Sequence, residues 1–219
     1  MTENSDDRLI VPGSTILILF LTLLVVVPLA TLRMSRSLAS PLVEVITLVQ
    51  DGDHFRGLWK IGELEYLVGQ GQDEARSIGT VTLSIRKTGQ TEPISSATRE
   101  RNGVIEEVLF LDPDGDRYSA VIIAIRSVGS GSYLQLLLFN FAQSADPTSG
   151  EWSDLSEIPA HLAVGYMGHD TIERQSEMLV RTFPIYLEGD SNAEPTGDVR
   201  SLIWDFRNGR WRPDPRPKR

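Results

Sequence analysis

A chain of 219 residues with 30 Asp and Glu against 21 Lys and Arg carries a formal charge of −9, the wrong sign for a nucleic-acid footprint and the right one for cationic partners. Cysteine is absent, which excludes disulfides, thiolate metal sites, a cysteine nucleophile and a lipid-modified N-terminal cysteine together. The length suits one domain with a full hydrophobic core once an N-terminal segment is set aside.

Residues 1–14 form a mostly polar N-terminal segment that includes Glu3, Asp6, Asp7 and Arg8. From Thr15 to Leu32 the chain then runs without a charge, close to the ~20 apolar residues that a membrane-spanning helix needs. Pro28 lies near its end, where lipid tolerates a kink. A cleaved signal peptide is the competing reading, since Ser37-Leu38-Ala39 offers a small-x-small site, but Arg33 and Arg36 separate it from the apolar run. An uncleaved single-pass anchor over residues 15–32 is therefore expected. Arg8 before it and Arg33 and Arg36 after it leave the positive-inside signal near balance, so charge does not orient it.

Residues 33–51 are assigned to a juxtamembrane stalk, in which Leu42, Val45, Ile46 and Val49 fall at helical spacing. The same residues equally suit a first strand. Residues 52–211 then read as a β domain. Val81, Leu83 and Ile85 alternate with polar neighbours, as in a strand with one wet face. Further strands are expected at Glu63 to Val68, Val104 to Leu111, Ser119 to Ser127, Tyr133 to Phe141, Met178 to Leu187 and Val199 to Phe206. Turn signals separate them at Lys87-Thr88-Gly89, Asn102-Gly103, Asp112-Pro113-Asp114-Gly115 and Asn208-Gly209. The expected fold is all-β, an antiparallel β-sandwich or flattened barrel preceded by one N-terminal transmembrane helix. Residues 212–219 (RPDPRPKR) read as a disordered basic tail.

Asp112, Asp114 and Asp116 stand at alternate positions like the start of a calcium loop. However, Arg117 occupies the position that wants Gly, and Ile123 stands where the closing Glu belongs. An acidic turn is the simpler reading, and whether these carboxylates bind calcium stays open. His169-Asp170 suggests catalysis, but Ser130 has Val128 two residues before it, so the G-x-S-x-G elbow is missing. His54, His161 and His169 show no metal-ligand spacing. No enzyme and no cofactor is expected, and a hydrolase built on Ser130 and His169 ranks third among the functional readings. Asp190 to Gly197 reads as a polar hairpin connection, and Tyr166, Phe183, Tyr186, Trp204 and Phe206 as core aromatics.

Ser130, Gly131, Ser132 and Tyr133 sit between two strongly apolar runs, Val121 to Arg126 and Leu134 to Phe141. Glycines there let the backbone approach a surface, serine hydroxyls donate and accept, and Tyr133 places a stiff amphipathic ring at the loop's edge. An ordinary Gly/Ser hairpin with Tyr133 facing the core is the plainer alternative. From Ser127 to Trp211 the chain resembles the periplasmic inhibitors of invertebrate-type (i-type) lysozyme, the PliI family. The resemblance is carried by SVGSGSY (Ser127 to Tyr133), LAVGYMGHD (Leu162 to Asp170), LVRTFPIYLEGDSNAEPTG (Leu179 to Gly197) and VRSLIWDF (Val199 to Phe206). Residues Phe55 to Leu111 share only its strand pattern.

The resemblance implies an all-β domain that inhibits lysozyme by inserting an S-G-x-Y loop into the substrate cleft. Ser130, Gly131 and Tyr133 match that motif, with Ser132 at its variable position. Inhibitors of goose-type lysozyme share it, so a goose-type target is the second choice. Two departures stand out: the retained anchor, and Asp198 after Thr196-Gly197 where a second small residue is common. The expected location is the periplasmic face of the inner membrane, or the periplasm itself if the signal is cut. A membrane-tethered envelope module that binds peptidoglycan or another protein without inhibition is the runner-up. Homodimerisation stays open.

Overall fold

The computed structural model describes residues 43–51, 54–71, 73–75, 77–113, 120–140 and 150–216. Thirteen strands follow in chain order: β1 (Val43–Asp51), β2 (His54–Ile61), β3 (Leu64–Gln70), β4 (Gly79–Lys87), β5 (Ser95–Arg101), β6 (Val104–Leu111), β7 (Ala120–Arg126), β8 (Leu134–Asn140), β9 (Glu151–Asp154), β10 (Thr171–Gln175), β11 (Met178–Pro184), β12 (Val199–Asp205) and β13 (Arg210–Pro213). Every pairing between them is antiparallel, and each sheet is a meander: β1 to β5, β6 to β9, and β10 to β13. No helix appears among the described residues.

The middle sheet explains the continuous apolar runs. In β7 every side chain from Ala120 to Ile125 is buried, because the strand has a core on each face. Val121, Ile123 and Ile125 pack toward Trp59, Tyr66, Val68, Val81 and Leu83 of the first sheet. Ala120, Ile122 and Ala124 pack toward Leu179, Phe183, Leu202 and Trp211 of the third. β8 divides in the same way, with Leu137 and Phe139 in one core and Leu134, Leu136 and Leu138 in the other. A strand covered on both sides loses its polar alternation. The outer sheets keep theirs: β2 and β4 alternate buried and less buried residues because only one face meets the core.

The all-β, antiparallel fold expected from the sequence is what the described residues form, with one more layer than a simple sandwich or flattened barrel has. Three sheets stack around two cores, and the uninterrupted apolar runs of β7 and β8 are the sequence trace of the extra layer. The choice left open at Leu42 to Val49 resolves to a strand from Val43, so the stalk assignment gives way there to the edge of the first sheet. The disordered tail expected from Arg212 is also corrected. Arg212 and Pro213 belong to β13, the Asp214 amide donates to Ser201 O at 3.0 Å, and Arg216 hydrogen-bonds Gln175 and Asp214. The helix expected over 15–32 lies outside the described residues, as do Asp114, Asp116 and residues 217–219. Among the described residues no helix is long and apolar enough to cross a membrane.

Because Ile123 is fully enclosed in the middle sheet, Ile123→Ala is expected to cost about 3 kcal/mol. Thr98→Ala, on the exposed face of β5, is expected to stay within about 0.5 kcal/mol. Urea unfolding midpoints of the two variants measure the contrast.

Candidate functional site

β7 ends at Arg126 and β8 begins at Leu134, so Ser127 to Tyr133 is the turn that joins the two best-buried strands among the described residues. The turn is closed by its own bonds. Ser127 N donates to Tyr133 O at 2.9 Å, Tyr133 N donates to Ser127 Oγ at 2.9 Å, and Ser132 N donates to Gly129 O at 3.0 Å. Ser132 takes a left-handed φ of 48°, an unfavourable conformation that the surrounding bonds hold in place. Ser130 is exposed and Tyr133 is 46% exposed, so the ring is not enclosed by the core.

Glycine has a more specific part than clearance for a partner. A Cβ on Gly131 would stand 2.2 Å from Cε2 of Tyr133, so the tyrosine ring lies back over its own loop. A Cβ on Gly168 would stand 1.8 Å from Gly131 O and 3.3 Å from the same ring. Gly168 has a φ of 91°, and only a residue without a side chain reconciles that backbone with this approach. The Tyr133 ring then meets Tyr166 edge-on at 5.6 Å, and Tyr166 meets Phe183 edge-on at 4.8 Å. The exposed Tyr133 ring is thus the outer end of an aromatic stack rooted in the core between the second and third sheets.

Two further loops hold the turn from outside. His169 N donates to Gly131 O at 3.0 Å, and Asn192 Nδ2 donates to Ser130 O at 2.6 Å. Arg126 spans the base, with Nη1 donating to Ser132 O at 2.9 Å and to Asp170 O at 2.7 Å, while Nε donates to Glu106 at 2.9 Å. The loop that presents Asn192 is closed by Asp190. Its carboxylate accepts from the amides of Leu187 (2.7 Å) and Thr196 (2.8 Å) and from the Thr196 hydroxyl (2.7 Å). Those donors, the Thr196 amide foremost, hold the Asp190 carboxyl below the usual range.

Under the loops lies a fully buried ion pair. Arg181 Nε donates to Asp170 Oδ2 at 2.6 Å, Tyr166 Oη donates to the same oxygen at 3.1 Å, and Leu134 N donates to Oδ1 at 3.3 Å. Arg181 also donates to Tyr166 Oη at 2.9 Å and to Ser156 O at 2.8 Å. Burial pushes the Tyr166 hydroxyl up to about 12, so it stays protonated and remains a donor.

The four residues singled out by sequence share one turn, and the two motifs left over, Gly165 to Asp170 and Asp190 to Gly197, are its buttresses. The catalytic reading of His169-Asp170 does not survive the geometry. Asp170 is committed to Arg181, Tyr166 and Leu134, and no hydrogen bond joins the His169 ring to Ser130, two described residues. His169 works through its backbone, in a left-handed conformation with φ 55°. Among the described residues no cluster of His, Asp or Glu is suited to a metal, and Asp112 engages Glu177 through its amide at 2.8 Å. Sequence reasoning missed Arg126, Arg181 and Asn192. A long-range arginine–carboxylate pair leaves no local pattern, although an arginine at a core position of β11 is the one available hint.

Residues 64–148 match the family described as PliI, periplasmic lysozyme inhibitor of I-type lysozyme. That stretch of the chain is PliI-like. A solved structure of PliI-Ah, periplasmic lysozyme inhibitor of I-type lysozyme from Aeromonas hydrophyla, is similar over 52% of this chain and 85% of its own, at 21% identity and a TM-score of 0.36. None of the curated proteins matches. The PliI match takes in the Ser130 to Tyr133 turn and also β3 to β6, the part expected to share only a strand pattern. It does not include Leu162 to Asp170, Leu179 to Gly197 or Val199 to Phe206, the three later segments of the resemblance. The matched family is one of inhibitors and not of enzymes, and the chain is read as a non-enzyme on that ground.

Asp170→Ala is expected to cost about 3–5 kcal/mol by stranding a buried Arg181, and adding Arg181→Met is expected to return part of that loss. Urea unfolding of the single and double variants decides this. Asp190 ionises more readily folded than unfolded, so its contribution is complete above the ordinary Asp value of ~3.9 and is lost as pH falls through its lower folded value. Protection of the Leu187 and Thr196 amides, taken relative to their intrinsic exchange rates, is expected to hold at pH 5 and to be lost only below the ordinary Asp value.

Proposed function

We propose that the chain inhibits lysozyme, with an invertebrate-type enzyme as the favoured target, by seating the Ser130-Gly131-Ser132-Tyr133 turn in the substrate cleft. The observation that carries this reading is the turn itself, in a PliI-like stretch. It is exposed at its tip, closed by internal hydrogen bonds and braced by two neighbouring loops.

The chemistry of the target supports the choice. A glycan-cleaving groove carries carboxylates flanking the scissile bond and polar groups that meet sugar hydroxyls. Ser130 and Ser132 hydroxyls and exposed backbone groups satisfy the same partners. Tyr133 supplies apolar area with few rotamers to freeze, and the turn contains no group that the enzyme can cleave as a glycoside. Val128, Met167 and Leu187, exposed on the three loops, extend the contact beyond the tip with apolar surface. A turn already fixed in shape gives up little entropy on docking, so a few anchors suffice for tight binding.

The charge of −9 favours encounter with a basic lysozyme, an effect on association rate that fades with salt. An uncleaved anchor over 15–32 holds the domain at the periplasmic face of the inner membrane, where an inhibitor protects the cell wall from invading lysozyme.

Titration of the chain against invertebrate-, goose- and chicken-type lysozymes tests the target, with inhibition strongest for the first. Tyr133→Ala is expected to leave the unfolding midpoint nearly unchanged and to weaken inhibition by about 2 kcal/mol, roughly thirtyfold. Undiminished inhibition by this variant would remove the turn from the mechanism. Absence of inhibition of all three enzymes by the unaltered chain would remove the function.

A further inference from the structure

The Ser130 to Tyr133 turn has to be firm, yet it is built around its most pliable residue. The Tyr133 ring lies where a Cβ on Gly131 would project, 2.2 Å from Cε2, so only glycine leaves room for the ring in that position. Glycine also has the widest backbone freedom of any residue. Left alone at the tip, Gly131 would let the peptide planes on either side of it swing, and that freedom would be lost on docking.

Both planes are held from outside the turn. The plane after Gly131 carries Gly131 O, which accepts from His169 N at 3.0 Å, and the plane before it carries Ser130 O, which accepts from Asn192 Nδ2 at 2.6 Å. Asn192 is held in its own right. Its main-chain oxygen accepts from the hydroxyl of the buried Tyr186 at 3.0 Å, and the tight turn around it is closed by the Glu194 amide donating to Ser191 O at 3.1 Å. Of the three outside groups that hold carbonyls of the turn, His169 acts through its backbone, and Arg126 also serves Asp170 and Glu106. Asn192 brings a side chain whose one hydrogen bond among the described residues goes to the turn.

We infer that Asn192 is a positioning residue for inhibition: through the relay from Tyr186 to Asn192 to Ser130 it locks the Ser130–Gly131 peptide in the shape that enters the cleft. The inference rests on the lysozyme reading of the turn and adds which residue outside it sets the affinity. A kinetic signature follows. The Asn192 bond is present in the free, competent turn and in the bound one alike, so its loss lowers the competent fraction of the free inhibitor and leaves the contacts of the complex as they were. Association slows and dissociation does not, whereas loss of a direct contact acts chiefly on dissociation.

Binding kinetics of the full chain, held in detergent micelles, against an invertebrate-type lysozyme provide the test. Asn192→Ala is expected to slow association by a factor of about three to five, the worth of one hydrogen bond, with dissociation nearly unchanged and circular dichroism showing the fold retained. Tyr186→Phe removes only the hydroxyl beneath Asn192, and is expected to give a smaller loss in the same direction and none when added to Asn192→Ala. In the free chain, the order parameter of the Gly131 amide is expected to fall from the rigid toward the flexible range in Asn192→Ala. An association rate that Asn192→Ala leaves unchanged overturns the inference. So does a loss carried by dissociation, which would make Asn192 a direct contact, and a Tyr186→Phe loss that adds in full would remove the relay. If the unaltered chain binds and inhibits no lysozyme, the proposed function fails, and the Gly131 order parameter then judges the lock by itself: equal values in the two chains remove it.

Discussion

The Asp170–Arg181 pair is the constraint on which the rest of the upper structure depends. Two charges with no exposed side-chain surface are costly to desolvate, and such a pair persists only where the remaining lone pairs and protons find partners. Here they do. Asp170 accepts from Arg181, Tyr166 and the Leu134 amide, and Arg181 donates onward to Tyr166 and Ser156 while Trp211 and Tyr166 offer their ring faces at 5.8 and 5.4 Å. The bonds run to β8, to the segment after β9 and to β11. One buried carboxylate therefore fixes the start of β8, and with it one end of the exposed turn, relative to the third sheet. An apolar pair in its place would fill the space equally well, but would leave the Leu134 amide and the Tyr166 hydroxyl without an acceptor.

How much of this is legible in the sequence follows from what kind of signal each element leaves. β4 announces itself by strict alternation, and β7 and β8 by unbroken apolar runs, because burial on one face or on two imprints the chain locally. The count of sheets does not: an unbroken run states that both faces are covered without saying by what. The edge strands β5, β9, β10 and β13 escape notice because they are short or polar, and the polarity that hides them is what defends a sheet margin. At β1 an apolar pattern fits two periods at once, and only its pairing with β2 selects the strand.

The turn at Ser130 to Tyr133 is readable because small flexible residues between two core strands have few other uses. Its support is not. Asn192 reaches Ser130 from 62 positions away, and Asp170 reaches Leu134 from 36. Neither separation has a sequence rule. Gly168 looks like an ordinary turn glycine, and only the 1.8 Å that would separate a Cβ there from Gly131 O shows that the position is reserved for want of a side chain.

That approach also changes what the tyrosine is. A ring standing free on a Gly/Ser hairpin would sample several rotamers and lose them on docking, a cost of the order of 1 kcal/mol for each immobilised side chain. Tyr133 instead lies across Gly131 with its edge against Tyr166, so much of that ordering is already done in the free protein. Tyr166 is in turn pinned at its hydroxyl by Asp170 and Arg181. The stiffness of the exposed ring therefore traces back, through one intervening aromatic, to the buried charges beneath it.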